Sequence, residues 1–214
     1  MKGLFISGSG TDVGKTFIAE RIIKALNGQF RVVARKPIES DCLPSASGLL
    51  PKDADLLNQA CARPEPLAAV CKYRFEACVS GEKASSAAGI SLTLNDLLAA
   101  SKPKNTDDFV ILEGAGGLYS PLATQLLNAD LAAALALPLV LVVKDELGAI
   151  NQALLSLRAA KEHNLRVLLL VLNQISPNNL DNATALKAYS DVEVAVFNQN
   201  CSQEFAAKVQ KLLG

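Results

Sequence analysis

The chain has 214 residues, half of them apolar, and its 21 basic and 21 acidic residues leave no net charge at neutral pH. This length and composition predict a single domain, residues 1–214, with one sizeable core. A nucleic-acid partner is not expected, because nucleic-acid surfaces are strongly basic. The longest apolar run, Leu131–Val143, contains Pro138 and is shorter than the ~20 residues of a membrane-spanning helix. No membrane partner is therefore expected either.

The N-terminus and the cysteines predict a cytoplasmic protein. Met1–Phe5 leads directly into a strand-like segment, without a signal-peptide core or cleavage pattern. An odd number of cysteines with no Cys-x-x-Cys pair argues against a disulfide framework and against a zinc site. We therefore expect reduced thiols at the five positions, which are Cys42, Cys61, Cys71, Cys78 and Cys201.

Strand-length apolar runs alternate with segments of helical period along the chain. Runs this apolar are typical of parallel strands that are buried on both faces. We therefore predict an α/β fold in which a doubly wound, mostly parallel sheet is flanked by helices. The predicted strands are Leu4–Ile6, Arg31–Ala34, Phe109–Leu112, Leu139–Val143, Val167–Leu172 and Val192–Phe197. The predicted helices are Lys15–Leu26, Leu94–Ala100, Gln125–Ala136, Ala149–His163, Asn182–Tyr189 and Gln203–Leu213.

The stretch Ser40–Gly89 departs from this alternation. It has few strand signals, and prolines are frequent in its wider span, Pro37–Pro66. We expect a long excursion from the sheet with one helix near Asp53–Ala62. Ligands of open α/β sheets bind beyond the carboxyl ends of the strands. Loops at those ends are therefore the first candidates for a site, unless the excursion folds over them.

A glycine-rich segment, Ser7–Thr16, follows the first predicted strand and opens the first helix. Glycines let the backbone turn its N–H groups toward phosphate oxygens, and the helix N-terminus adds further donors. In such a loop Lys15 would reach the β- and γ-phosphates and the Thr16 hydroxyl would bind Mg²⁺. The usual spacing is Gly-x₄-Gly-Lys-[Ser/Thr], whereas five residues separate Gly8 from Gly14 here. A chance glycine-rich turn is the alternative, which Gly-Lys-Thr at a strand-to-helix junction disfavours.

Two further charged residues follow predicted strands. Glu113 comes after Phe109–Leu112 and before glycines, and a carboxylate at that place is suited to hold Mg²⁺ near a phosphate. Lys36-Pro37 ends the second strand, where the lysine can point into the crevice beside the first strand. A solvated glutamate and a surface lysine are the alternatives. Together with the glycine-rich loop, these residues indicate a magnesium-dependent enzyme that uses the γ-phosphate of ATP.

Five segments, in this order along the chain, closely resemble dethiobiotin synthetases. The resemblance runs from residue 3 to about residue 175, and the stretched spacing of the glycine-rich loop is itself a feature of that family. The tail after Asn173 fits loosely. The segments are Gly8-x-x-Thr11-x-Val13-Gly14-Lys15-Thr16, Lys36-Pro37-Ile38-Glu39-Ser40, Asp53-Ala54, Glu113-Gly114-Ala115-Gly116-Gly117 and Leu147-Gly148-Ala149-Ile150-Asn151.

The resemblance implies a ligase of biotin biosynthesis with a P-loop NTPase fold. The family forms dethiobiotin from 7,8-diaminopelargonic acid, CO₂ (or bicarbonate) and MgATP. One substrate amine takes up CO₂ as a carbamate, whose oxygen attacks the γ-phosphate to give a carbamic–phosphoric anhydride. The second amine then displaces phosphate and closes the cyclic urea, so that ADP and phosphate leave. The resemblance also implies a homodimer with the substrate site at the subunit interface.

The family's residue roles carry over onto the matching positions. Lys36 is the implied catalytic residue, with Lys15 beside the transferring group and Thr11 at the carbamate. The implied Mg²⁺ ligands are Thr16, Asp53 and Glu113. The implied nucleotide-binding residues are Asp12, Val13, Gly14, Lys15, Thr16, Phe17, Asp53, Glu113, Gly114, Ala115, Gly116, Asn173 and Gln174. The implied substrate-binding residues are Thr11, Lys36, Ser40, Gly116, Gly117 and, from across the dimer interface, Asn151.

Several positions stay open at the level of sequence. Asp55 is an alternative to Asp53 as metal ligand, and Asp53 could instead be a helix N-cap. Gln174 stands where the family more often has an acidic residue, and no motif anchors the base-side loop Phe197–Gln199. The sequence does not decide whether Tyr189 contacts substrate, or whether ATP is preferred over other triphosphates.

Other classes share parts of this pattern. Partitioning and septum-site ATPases resemble the fold, but they carry a second lysine early in the glycine-rich loop, where this chain has Ser9-Gly10. Synthetases of the cobyrinate amidase type normally carry a glutaminase domain, for which 214 residues leave no room. A protein that only binds nucleotide is disfavoured, because the charged residues expected for chemistry are all present.

Overall fold

The computed structural model of the chain describes residues 1–46 and 48–213, with residue 199 described by its backbone alone. Within these residues the strands are β1 (Lys2–Gly8), β2 (Val32–Arg35), β3 (Ile38–Glu39), β4 (Leu43–Ser45), β5 (Gly48–Leu50), β6 (Tyr73–Arg74), β7 (Phe109–Gly117), β8 (Pro121–Ala123), β9 (Leu126–Leu127), β10 (Leu139–Lys144), β11 (Val167–Asn173) and β12 (Val194–Phe197). The helices are α1 (Lys15–Leu26), α2 (Lys52–Ala60), α3 (Leu67–Val70), α4 (Gly81–Ala87), α5 (Leu94–Ser101), α6 (Asn128–Leu135), α7 (Ala149–Glu162), α8 (Asn182–Leu186), a 3₁₀ turn (Gln199–Cys201) and α9 (Ser202–Leu213).

Six strands form one parallel sheet in the order β12-β11-β10-β1-β7-β2. Because β1 lies in the middle, the chain winds outward from it in both directions, which confirms the doubly wound α/β prediction. The carboxyl ends of β1, β7 and β2 are neighbours at one edge of the sheet. The loops that follow these three strands therefore meet there.

Each face of the sheet is covered by helices and buries its own apolar cluster. In β1, Leu4 and Ile6 face the cluster that includes α1, α2 and α9, whereas Phe5 faces the cluster that includes α5, α6 and α7. This alternation follows the two-residue period of a strand. It explains why the central strands read as unbroken apolar runs. Among the described residues no helix combines the length and the apolar character needed to cross a membrane.

Several predicted elements differ from the structure. The strand predicted over Phe109–Leu112 continues to Gly117, and the strand predicted over Val192–Phe197 begins at Val194. The excursion Ser40–Gly89 was expected to hold one helix, but it contains α2, α3 and α4 and three short strands, β4, β5 and β6. The two additional helices have four and seven residues, too few for a helical period to show in sequence. Their formation depends on packing rather than on local propensity.

The helix predicted over Gln125–Ala136 is wrong at its start. Gln125 has a φ of 57°, and the next two residues pair with β8 as β9. The helix begins only at Asn128, where the Asp130 carboxylate accepts the backbone N–H of Leu127 at 2.8 Å. The helix predicted over Asn182–Tyr189 likewise ends early, at Leu186. At the opposite extreme, α1 has the predicted bounds.

Candidate nucleotide and substrate site

The glycine-rich loop leaves the carboxyl end of β1 and enters α1. Its backbone turns through Asp12, which has a φ of 57°, and Gly14, which has a φ of 91° and precedes the first residue of α1. Glycine is required at position 14, because a Cβ atom there would collide with the Asn173 amide. Asn173 in turn donates its Nδ2 hydrogen to the Val13 carbonyl at 3.0 Å. The end of β11 thus holds the loop in its curled form.

Lys15 lies folded along the inside of this loop. Its Nζ donates to the Gly10 carbonyl at 2.7 Å, and the residue is 7% exposed. Burial lowers the pKa of the Lys15 ammonium below its usual value, and the carboxylate of Glu113 opposes this effect. An ammonium held by a single carbonyl is available to pair with an anion that enters the loop.

Four polar side chains from four separate segments meet beside this loop. Glu113 Oε1 accepts a hydrogen bond from Thr16 Oγ1 at 2.9 Å and another from Lys36 Nζ at 2.7 Å. Lys36 also pairs with Asp53. We call Thr16, Lys36, Asp53 and Glu113 the acidic cluster. Its members lie at the start of α1, after β2, at the start of α2 and in the middle of β7. Glu113 was predicted to follow a strand that ends at Leu112, but this strand continues to Gly117.

Lys36 is the electrostatic centre of the acidic cluster. It is 4% exposed, and burial alone would lower its pKa. The carboxylates of Glu113 and Asp53 outweigh that effect, so the pKa of Lys36 is raised above its usual value and the side chain stays protonated. A permanently charged lysine can neutralise charge that develops on a neighbouring group.

The geometry separates the two aspartates at the start of α2. Asp53 faces Lys36, whereas the Asp55 carboxylate accepts a hydrogen bond from Gln59 at 2.6 Å on the same helix. The excursion thus folds over the end of the sheet and brings Asp53 there. The Glu39 carboxylate accepts hydrogen bonds from the backbone N–H groups of Asp53 and Ala54 and so holds the start of this helix. No role was predicted for Glu39 from the sequence.

The acidic cluster has the chemistry of a magnesium site. Glu113 Oε2 is buried and has no hydrogen-bond partner among the described residues. A buried carboxylate oxygen without a partner is costly unless a cation or donor reaches it. Within the residues that the structure describes, no group of three or more His, Cys, Asp or Glu side chains could hold a metal ion by itself. The set therefore fits Mg²⁺, which takes one or two carboxylates and completes its shell with phosphate oxygens and water.

The glycine turn after Glu113 lies against the glycine-rich loop. Residues 114–117 continue β7, and Gly117 pairs in register with Gly8. A Cβ atom added to Gly116, which has a φ of 82°, would lie 3.9 Å from Thr11 Oγ1. The exposed Thr11 hydroxyl thus lies near Gly116, although the Ser120 side chain is closer to that added atom. This arrangement brings three of the implied substrate-binding residues together.

Asn128 organises the glycine turn and was missed by sequence reasoning. It is fully buried, and its Nδ2 donates to the carbonyls of Ala115 at 2.6 Å and Gly117 at 3.0 Å. Its Oδ1 accepts the N–H of Ala115 at 3.1 Å. No sequence signal marks this role, because the asparagine acts from the next helix rather than from a motif.

On the expected base side, amide side chains are linked in a chain. Gln174 donates its Nε2 hydrogen to the Asn178 carbonyl at 3.3 Å, and Asn198 donates its Nδ2 hydrogen to Gln174 Oε1 at 3.4 Å. The ring of Phe17 is 5.4 Å from that of Phe197, edge to face. The Gln199 side chain, part of the base-side loop expected from sequence, lies outside the described residues.

Other predicted residues lie at the margin of the site. Ser40 is half-buried and directly follows β3, whereas Asn151 and Leu147 are exposed at the start of α7. Leu147 is 89% exposed and Tyr189 is 69% exposed. Within one chain these α7 residues do not close over the acidic cluster.

Solved structures share the fold of this chain. A ParA family ATPase from Chlorobium tepidum covers 100% of this chain and 92% of its own length, with a TM-score of 0.55 and 15% sequence identity. The apo form of McdA from Cyanthece covers 100% of both chains, with a TM-score of 0.55 and 14% identity. At such identities the likeness extends to the fold alone.

Relatives in sequence are much more similar. The ATP-dependent dethiobiotin synthetase BioD of Ruthia magnifica is 54% identical over 213 residues, which cover 100% of this chain and 99% of that protein. The enzyme of the same name from Anaeromyxobacter dehalogenans is 36% identical over 84% of this chain and 79% of its own length. A family model described as an AAA domain matches residues 2–197. The chain therefore belongs to the ATP-dependent dethiobiotin synthetase family.

Proposed function

We propose that this protein is a dethiobiotin synthetase, a ligase that uses ATP to carboxylate 7,8-diaminopelargonic acid and close its cyclic urea. One observation carries the proposal. A chain that is 54% identical over its whole length to a dethiobiotin synthetase also brings Lys15, Thr16, Lys36, Asp53 and Glu113 to one end of its sheet. These are the residue types that a phosphoryl transfer to a carbamate requires.

The chemistry follows from charge and position. Phosphoryl transfer is catalysed mainly by alignment and charge neutralisation, because the transferring group spreads negative charge over its oxygens. The loop 8–16 curls around the phosphates, with its N–H groups and Lys15 as donors. Lys36 keeps its proton and steadies the carbamate while its oxygen attacks the γ-phosphate. The second amine then displaces phosphate, and no protein nucleophile is needed.

Mg²⁺ is part of this proposal. Thr16, Asp53 and Glu113 would hold it, and it would neutralise the charge on the phosphate oxygens. Its binding would give a partner to Glu113 Oε2, which has no hydrogen-bond partner within residues 1–46 and 48–213. Of the two neighbouring aspartates we assign this role to Asp53, since it pairs with Lys36 whereas Asp55 accepts a hydrogen bond from Gln59.

The substrate would lie between the glycine-rich loop and the glycine turn. Thr11, Ser40 and the backbone of Gly116 and Gly117 would hold the carbamate end, next to Lys36. The Gly117 N–H donates to Ser120 Oγ at 2.9 Å in the structure, so it would have to exchange that partner for the substrate. A second subunit completes the other end, since Asn151 is exposed at the start of α7 and Leu147 is 89% exposed. We therefore infer a homodimer in which Asn151 binds the substrate carboxylate of the opposite site.

The nucleotide base would lie between the ends of β11 and β12. Asn173 and Gln174 are placed there, with the backbone that follows Phe197. Asn173 donates a hydrogen bond to the Val13 carbonyl of the glycine-rich loop, so the phosphate-binding and base-binding residues are in direct contact.

The cysteines support a cytoplasmic location. All five are free thiols, three of them buried, and free thiols persist in a reducing compartment such as the cytoplasm.

The direct test supplies the complete substrate set. The protein is incubated with MgATP, bicarbonate and 7,8-diaminopelargonic acid, and dethiobiotin and ADP are measured by mass spectrometry. We expect equal amounts of both products, and none after EDTA removes the magnesium. Parallel reactions with other nucleoside triphosphates give the nucleotide preference. Absence of dethiobiotin from folded protein would overturn the proposal, and ATP hydrolysis driven by DNA or lipid would favour a partitioning ATPase instead.

A further inference from the structure

The start of α2 lacks a cap from its own sequence. The residue before it is Pro51, which has no side chain able to accept from the first N–H groups of the helix. Such N–H groups need partners, and helices are usually capped by a nearby Ser, Thr, Asp or Asn. The helix nevertheless begins sharply, and its second residue is Asp53 of the acidic cluster.

Glu39, which lies in β3, supplies the missing cap. Its Oε1 accepts the N–H of Asp53 at 3.0 Å and its Oε2 accepts the N–H of Ala54 at 2.9 Å. The residue is 3% exposed and stands fourteen positions before Asp53 in the chain. A carboxylate that accepts two N–H groups at a helix N-terminus gains from both charge-assisted bonds and the helix dipole.

The Asp53 side chain has little other support. Its side chain is 42% exposed, and in the described part of the chain its ion-pair partner is Lys36. Lys36 is also the residue that turns toward the reacting groups in the proposed function. An Asp53 placed only by Lys36 would lose its position whenever the lysine changed partner. Glu39 instead accepts from the backbone of α2 and makes no hydrogen bond to Lys36 among the described residues, so a change of hydrogen-bond partner by Lys36 leaves these two bonds in place.

We propose that Glu39 is a positioning residue for the magnesium–nucleotide site, which caps α2 and thereby fixes Asp53 at the distance where its carboxylate reaches the metal. This inference rests on the proposed function, because it assumes that Asp53 is a magnesium ligand. It differs from a general stabilising role of Glu39, which would affect folding without acting through Asp53.

The first experiment measures binding rather than turnover. Binding of a non-hydrolysable ATP analogue is titrated against Mg²⁺ for the wild type and for Glu39→Gln. The amide accepts one N–H but turns a donor toward the other. We expect the Mg²⁺ concentration for half-maximal binding to rise about tenfold, with metal-free analogue binding unchanged. An unchanged Mg²⁺ titration would overturn the inference.

A double-variant comparison separates positioning from general stability. If Glu39 acts through Asp53, the Glu39→Gln change should shift the Mg²⁺ titration by less than about twofold when Asp53→Asn is already present. A purely structural residue would give the same shift in both backgrounds, and that result would contradict the proposal. Hydrogen exchange of metal-free protein provides a second readout, in which the amides of Asp53 and Ala54 should exchange faster in Glu39→Gln.

The chain offers a matched control in α5. Thr93 and Asp96 form a capping box at the start of that helix. Leu97 of α5 packs in the apolar cluster on one face of the sheet, whereas Leu57 of α2 packs in the cluster on the other face. Asp96→Asn should lower the melting temperature and leave the Mg²⁺ titration unchanged. If it shifts the titration as much as Glu39→Gln, the inference fails. Should Glu39→Gln not fold, Glu39→Asp keeps the charge on a shorter side chain and should give a smaller shift in the same direction.

The two proposals fail in different ways. Analogue binding and amide exchange do not require dethiobiotin formation, so a protein without synthetase activity would still report on Glu39. If dethiobiotin forms but Glu39→Gln titrates with Mg²⁺ like the wild type, only the role of Glu39 is lost.

Discussion

Lys36 shows how one side chain makes a set of charges compatible. An isolated ammonium or carboxylate in a protein interior costs several kcal/mol, and here one lysine faces two carboxylates at hydrogen-bond distance. Glu113 is 1% exposed, so the Lys36 ammonium offsets the cost of burying its carboxylate. The two carboxylates keep Lys36 protonated, and ligand binding can redistribute its partners.

Replacing Lys36 should separate catalysis from binding. In Lys36→Gln we expect dethiobiotin formation to fall by about 10²-fold or more, because a preorganised charge is lost from the reacting groups. ADP binding should stay within about threefold of the wild type, since the glycine-rich loop is intact. The fall is measured by steady-state turnover, and ADP binding by calorimetry.

The same variant should be less stable, because Glu113 is left without its cation. Its melting temperature should be lower than that of the wild type. Added Mg²⁺ should raise the melting temperature of the variant by more than it raises that of the wild type. Lys52→Gln is the control, since Lys52 is an exposed lysine that pairs with Asp41 on the same excursion. Near-normal turnover in Lys36→Gln would exclude its assigned role.

The lowered pKa of Lys15 predicts that nucleotide binding is coupled to proton uptake. Burial lowers its pKa in the free protein, and bound phosphates would raise that pKa again. Nucleotide binding should therefore take up protons at alkaline pH and weaken as the pH rises past the free-protein pKa. Lys36 does not contribute, since its pKa is raised in the free protein. Calorimetry of ADP binding in two buffers of different ionisation enthalpy measures the uptake.

Lys15→Arg is the control for this linkage, because a guanidinium keeps its proton at these pH values. The uptake should disappear in that variant. Equal uptake in Lys15→Arg and in the wild type would assign the proton to another group.

At the level of elements, β7 and α6 act together. β7 carries Glu113 and continues as a glycine turn whose backbone groups face the loop of α1. Glycines have low strand propensity, and the turn keeps its extended form through pairing with β1 and through Asn128 at the start of α6. The position of the turn is thus decided by two elements that are distant in sequence.

Truncating Asn128 should loosen the turn. We expect Asn128→Ala to lose about 2 kcal/mol of unfolding free energy, since buried carbonyls lose their donor, and to lower the melting temperature by about 4–8 °C. The KM for diaminopelargonic acid should rise more than that for ATP, because the turn faces the substrate. Asn58→Ala is the matched control. Asn58 is also buried and pairs with the backbone of Glu65, so it should lose stability without this KM difference.

At the level of the whole molecule, two leucines near the start of α7 are exposed. Leu147 is 89% exposed and Leu155 is 59% exposed. In the proposed dimer Leu147 lies at the interface, and a contiguous apolar patch is typical of such an interaction site. In the proposed dimer this surface meets its own copy, and Asn151 crosses to the other substrate site.

A charge on that surface should break the dimer. In Leu147→Arg we expect the mass in solution to halve, since a buried unpaired charge is unfavourable at an interface. The kcat/KM for diaminopelargonic acid should fall while ADP binding persists. Mass is measured by analytical ultracentrifugation. Leu56→Arg, on the exposed side of α2, is the control and should leave mass and turnover unchanged. A monomeric wild type would contradict the dimer.

The sequence by itself determined the positions of the six sheet strands along the chain and of the glycine-rich loop before α1. Almost wholly apolar runs of strand length are typical of parallel strands covered on both faces, and a glycine-rich segment between a strand and a helix is typical of a phosphate-binding loop. The loop and α1 were therefore predictable from local pattern. The short helices of the excursion were not, because their residues fold through contacts with the sheet rather than through their own period.

The tertiary structure decided which side chains meet. β1, β7 and β2 are adjacent in the sheet but separate in the chain, so the meeting of Thr16, Lys36 and Glu113 depends on strand order. The choice between Asp53 and Asp55 depends on where α2 begins, and that start is set by the Glu39 carboxylate from another strand. The local sequence determines which residue types are present. Their positions relative to one another come from packing between segments that are distant in the chain, and a local sequence pattern does not contain that information.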